Sequence, residues 1–173
     1  MIERQTRRPF DIALLGLTLM ASAGCGYSLG YRAPSSVTSV AVPMFHNATF
    51  PLRRELEFAL TSATREQIQT RTSMVLVDSD EADMVVKGTI SDFTERVVAE
   101  GRNDEKLESR VLITVSLLVE DYQNEKRWEE TVRVDEPVSF DAGETIEIGR
   151  QRAIEDLAEK IVNTLDSWPV AGG

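Results

Sequence analysis

The chain has 173 residues, 42% of them hydrophobic, which is the size and composition of one ordinary domain with a leader. Its 29 acidic residues against 19 basic ones give a net charge of −10, which argues against nonspecific nucleic-acid binding. Cys25 is the only cysteine, so no intrachain disulfide can form and the fold must rest on its own core.

The first element is a leader. Arg4, Arg7 and Arg8 precede an apolar stretch from Ile12 to Met20, followed by Ala21-Ser22-Ala23-Gly24 and then Cys25. A charged start, a short apolar centre and small residues at a cleavage site read as a signal peptide over residues 1–24. The apolar stretch is too short to span a bilayer, which needs about 20 residues. Cysteine directly after Ala-Gly resembles the lipobox of bacterial lipoproteins, although Ser22 and Asp11 depart from the usual pattern. That resemblance makes Cys25 the lipidated N-terminus of the mature chain. The alternative is a secreted protein with a free thiol, which exported proteins rarely keep. Neither Gly26 nor Tyr27, the two residues after Cys25, is the Asp that resembles an inner-membrane retention signal, so the outer membrane is the expected address. Loss of the leader leaves 149 residues and takes the net charge to −11, because three arginines leave with Glu3 and Asp11.

Residues 25–36 contain Gly, Ser and Pro without an apolar period and read as a lipidated tether. Val37 to Pro43 reads as a first strand ended by proline, and Phe45 to Pro51 as a loop. A helix is predicted from Leu52 to Thr70, with Leu52, Leu56, Ala59, Leu60, Ala63 and Ile68 on one stripe and Pro51 at its first turn. A short strand at Ser73–Val77 follows. A long strand from Ala82 to Val98 changes parity, which implies a bulge near Ser91-Asp92. Gly101-Arg102-Asn103-Asp104 is a turn. Val111, Ile113, Val115, Leu117 and Val119 alternate strictly with more polar neighbours, so this strand buries one face. Tyr122 to Glu125 makes the next turn, and Trp128, Val132, Val134 and Val138 continue on one parity. Asp141-Ala142-Gly143-Glu144 has capping-box spacing and is predicted to open the last helix. The apolar stripe of that helix runs from Ile154 to Trp168, and Pro169 stops it.

The order β-α-β-β-β-β-α implies an α+β fold. It is a two-layer sandwich in which a mixed or antiparallel sheet of four to five strands carries both helices on one face. The domain spans residues 37–169, and 170–173 form a tail.

Little in the chain points to catalysis. His46 is the single histidine and reads as a solvated loop residue; nothing resembles Gly-x-Ser-x-Gly, HExxH or CxxC, and no metal cluster or cofactor loop is present. The acids Glu100, Asp104, Glu105 and Glu108 read as a solvated hairpin tip. Arg96, Arg102, Lys106 and Arg110 flank the long hairpin, and Lys126 and Arg127 sit beside the next turn. These six cations have two readings: donors to a lipid phosphate, or partners of the acids interleaved with them.

Three segments carry a family resemblance: Cys-Gly-Tyr-Ser-Leu (25–29), Val-Ala-Val-Pro-Met-Phe-His-Asn-Ala-Thr (40–49) and Leu-Glu-Phe-Ala-Leu-Thr (56–61). With Ala-Asp-Met-Val-Val-Lys-Gly-Thr-Ile (82–90) and the closing 153–162 segment, the chain resembles the LPS-assembly lipoproteins of the LptE family. The resemblance implies a non-enzymatic lipoprotein, held by Cys25 at the periplasmic face of the outer membrane. It also implies a place inside an LptD-like β-barrel, with lipopolysaccharide as a candidate ligand at the cations above. A polar barrel lumen could receive so acidic a plug. A second reading is a lipoprotein that regulates a peptidoglycan synthase, some of which begin with a similar strand. Those carry long spacers, whereas this tether extends to at most about 40 Å. A curli-type pore subunit would need an apolar alternating face on the hairpin, and residues 96–110 are too charged for one.

Overall fold

The computed structural model describes residues 37–102 and 106–166. Cys25, the leader, the tether, Trp168, Pro169 and the tail lie outside them. In chain order the elements are β1 (Ser39–Ala41), β2 (His46–Asn47), α1 (Leu56–Arg71), β3 (Val75–Leu76), β4 (Met84–Glu100), β5 (Lys106–Asp121), β6 (Lys126–Ser139) and α2 (Ile146–Asp166). One mixed sheet has the order β3-β1-β4-β5-β6, with β2 also paired to β4. The β1–β3, β1–β4 and β2–β4 pairings are parallel, and β4, β5 and β6 form the expected antiparallel meander. The architecture is the predicted α+β sandwich with one more short strand, β2, inside what the sequence reads as a loop.

Alternation sets the layers. The β5 residues Val111, Ile113, Val115, Leu117 and Val119 are buried with Val86 and Ile90 of β4 and Val132, Val134 and Val138 of β6. Both helices close over this inner face, α1 through Leu56, Leu60 and Ile68 and α2 through Ala153, Leu157, Ala158, Ile161 and Leu165. Each such large aliphatic side chain contributes about 1.5–3 kcal/mol by leaving water. The register of β4 against β5 slips between Ile90 and Asp92, so the bulge sits where the parity change placed it. Before it Val86 and Ile90 point inward; after it Phe93, Glu95 and Val97 do.

Two helix starts differ from expectation. α1 begins at Leu56, not Leu52, and Pro51 is not in its first turn. Asn47 Nδ2 donates to the Arg53 carbonyl at 2.6 Å and to Glu57 at 2.7 Å, and the Arg53 N–H donates to Thr49 Oγ1 at 3.0 Å. Those bonds hold residues 49–53 irregular, and Glu55 turns into the helix at φ 70°. α2 begins at Ile146, not at an Asp141 cap. Phe140–Ala142 form a 3₁₀ turn that Gly143 ends at φ 78°, and the Thr145 hydroxyl receives the Ile148 N–H at 3.3 Å. Glu144 instead turns back to the Ser139 N–H at 2.8 Å. Gly149 lets α2 approach β6 closely, because a Cβ there would run into Val138 Cγ2.

Candidate functional site

Three of the segments that carry the resemblance, 40–49, 56–61 and 82–90, meet in the fold. Phe45 is buried with its ring flat against Gly88 of β4, where a Cβ would come within 2.9 Å of the ring. The Phe45 N–H donates to Thr61 Oγ1 at 3.0 Å, which fixes the chain after β1 to α1. Asn47 ties the same stretch to Glu57. At the start of β4, Asp83 accepts from the Thr38 N–H, the Thr38 hydroxyl and the Ser39 N–H, each at 2.9 Å, and from Gln123 Nε2 at 2.6 Å. The Gln123 amide and then the Thr38 and Ser39 donors hold the Asp83 carboxyl well below the usual carboxylate range. Asp83 thus latches the first residues after the tether to the β5–β6 turn. These residues position backbone.

A second cluster fastens the helix starts to the sheet. Glu95 accepts from Arg53 at 2.8 Å and from Arg150 at 2.6 and 2.8 Å, and the Arg53 guanidinium lies 5.1 Å over the Phe93 ring. Arg152 pairs with Glu144 and Glu136 and donates to the Pro137 carbonyl at 3.0 Å. Arg152, and then the Ser139 N–H, hold the Glu144 carboxyl below its ordinary value. The partners in the Glu95 clamp stand 42 and 55 positions away, so no local pattern signals it.

The outer face of β4, β5 and β6 is left open by both helices. It carries Lys87, Arg96, Arg110, Arg127 and Arg133 against Asp92, Glu108, Glu120, Glu129 and Asp135. This face is therefore balanced in charge, although the chain as a whole is strongly acidic. Thr89, Ser116 and Thr131 form its middle row, beside a shallow groove that Lys87 and Leu118 also line. Lys87 and Glu120 pair at 2.6 Å, which raises the lysine pKa and lowers that of the glutamate.

The six predicted cations fall into two groups. Arg96 and Arg110 are directly opposite on β4 and β5, and Arg102 and Lys106 follow at the hairpin end. Lys126 and Arg127 start β6, about 33 Å along the strand from the Pro137 that faces Arg110. Arg110 pairs with Asp135 at 3.2 Å and Arg127 with Glu129 at 3.2 Å, whereas Arg96 makes no ion pair among the described residues. Arg133, which the sequence reading passed over, also stands exposed on this face without an ion pair among the described residues. Only its parity with Arg127 and Asp135 could have signalled it.

His46 is exposed on β2, beside Thr89 of β4. Among the described residues no group of His, Cys, Asp and Glu could hold a metal ion, and no helix is long and apolar enough to cross a membrane.

Comparison with known proteins gives one family. Residues 37–165 match the family model described as LptE, Lipopolysaccharide-assembly. An uncharacterized lipoprotein B from Nitrosomonas europaea superposes with a TM-score of 0.53 at 12% identity, covering 83% of this chain and 95% of that one. A single-residue variant of PelC from Paraburkholderia phytofirmans, solved as a dodecamer, gives 0.52 at 14%, covering 79% and 94%. At such identities the likeness is one of fold. No curated protein sequence matches the chain.

Proposed function

The chain belongs to the LptE family of lipopolysaccharide-assembly proteins, and from that membership we propose that it is a lipid-anchored outer-membrane subunit seated in an LptD-like β-barrel. Cys25 carries the anchor, and the tether keeps the domain within about 40 Å of the membrane. The observation that carries the reading is the family match, which runs over nearly the whole described domain. The open sheet face supports it. It is polar and charge-balanced, which suits the polar interior of a barrel better than a lipid surface. Glu100 and Glu108 on the 95–110 hairpin would face a basic lumen wall. Lipopolysaccharide would meet the hairpin end, where Arg96, Arg102, Lys106 and Arg110 can offer charge-assisted donors to phosphate. Lys126 and Arg127 are too far away to share the same headgroup.

The test is copurification. The chain is tagged after Gly173, outer membranes are dissolved in mild detergent, and stoichiometric partners are identified by mass spectrometry. A large β-barrel is the expected partner. Recovery of a peptidoglycan synthase without a barrel would overturn the reading and favour the regulatory alternative. Reversing the charge of Glu100 and Glu108 together, which leaves the Glu95 clamp intact, should lower barrel yield; an unchanged yield would remove the hairpin from the interface.

A further inference from the structure

β4 is much longer than the strands that flank it on one side. β1 pairs with it at Met84 and Val85, β2 pairs at Thr89 and Ile90, and the Ala48 N–H makes the last bond, to the Ile90 carbonyl at 2.9 Å. Residues 91–100 then run on with no partner on that edge among the described residues, over about 33 Å. Their outward N–H and C=O groups form a template for another strand. Register irregularities at Ser91 and Val98 bracket a regular stretch, residues 92–97.

The charges on this stretch select a partner. Asp92, Thr94 and Arg96 share the outer face. Arg96 makes no ion pair among the described residues, and Asp92 receives only a 3.4 Å bond from the Thr94 hydroxyl. Arg96 also stands directly opposite Arg110, an unfavourable like-charge pair within the chain. A carboxylate arriving from outside would relieve it. We propose that a second copy of this chain docks antiparallel along the β4 edge, with its dyad at Thr94.

That register sets Asp92 of each copy against Arg96 of the other and Thr94 against Thr94. Moving the dyad to Glu95 would oppose two glutamates instead, so charge favours the Thr94 register. Apolar surface lies beside it. The Arg53–Glu95 ion pair fastens residues 50–53 next to this edge, and there Phe50 is 98% and Leu52 60% exposed. Two copies would cover both. An isologous contact of this kind is the commonest route to a closed dimer. It occupies Arg96, so self-pairing and contact with a lipid phosphate at Arg96 exclude one another. The inference does not depend on a barrel partner.

Charge exchange tests both the contact and its register. The mature lipoprotein, freed of copurifying proteins, is followed by sedimentation equilibrium in density-matched detergent at rising concentration and in low and high salt. Asp92→Arg should weaken self-association roughly tenfold or more, because symmetry turns two attractive pairs repulsive. The double exchange Asp92→Arg with Arg96→Asp should restore it, and high salt should weaken the wild-type dimer. Thermal melts of each variant show that the fold survives. A monomeric wild type at every concentration would overturn the proposal and leave the edge to a strand of another protein. A double exchange that stays monomeric while folded would overturn it too.

Discussion

The inner and outer faces of β4, β5 and β6 are built from adjacent residues of the same strands, yet they obey different rules. Ile113 is fully buried under the helices, while Thr114 beside it faces outward. On the inner face the positions beneath the helices are constrained by volume. On the outer face threonines, serines, balanced charges and the apolar Leu112 and Leu118 are left uncovered by both helices, while Val85 at the start of β4 is buried there with Ala41 and Ala82. The difference separates what holds the domain together from what it offers to a partner. Residues that matter for association can change without unfolding the protein, and residues that matter for folding have no reach to a partner.

The sharpest test of that division compares neighbours. In urea titrations of the full chain, Ile113→Ala should lose about 2–5 kcal/mol and Thr114→Ala no more than about 0.5 kcal/mol. Equal losses would mean that the outer face is covered after all. The glycines come next. Gly149→Ala and Gly88→Ala each force a Cβ into a packed neighbour and should cost about 1–3 kcal/mol in the same titrations. Gly149 should lie at the upper end, since Val138 is already packed against it; a neutral Gly149→Ala would show that α2 can shift.

Asp83 gives a pH-dependent test. Its carboxyl titrates below its unfolded value of about 3.9, so its contribution is complete above that pH and is lost as pH falls through the depressed folded value. Asp83→Asn should therefore lower the thermal midpoint by a constant amount between pH 5 and 8. The gap to wild type should close below about pH 4, and a gap that widens in acid would contradict the latch. The smallest effect belongs to the outer face. Glu120→Gln breaks the pair with Lys87, which is partly exposed, and should cost under about 1 kcal/mol, less in high salt.

Much of the fold was legible in the sequence because alternation and helical stripes are local signals. The β5 parity, the bulge at Ser91-Asp92 and the helix stripes are examples. What was not legible depends on distant partners. Residues 52–55 carry a helical pattern but are held out of α1 by Asn47 and Thr49. Asp141 has capping spacing, but Glu144 is drawn back to Ser139 and Arg152. β2 is only two residues long and exists because β4 is there to receive it. For the cations, the sequence picks out those near turns, while the sheet register decides which of them meet. Arg96 and Arg110 come together across a ladder, and Lys126 and Arg127 are carried to the other end.

The extra residue at Ser91 also acts as a phase shifter. Upstream and downstream of it, the same strand runs in opposite frames. Deleting that one position would remove the bulge and leave Glu95 facing inward and Asp92, Thr94 and Arg96 outward, whereas pairing Ser91 as an ordinary ladder residue would turn Glu95 away from Arg53 and Arg150. Within the regular stretch beyond it, a single inserted or deleted residue would reverse every face that follows. A lineage that keeps this arm will hold its frame even where its amino acids drift.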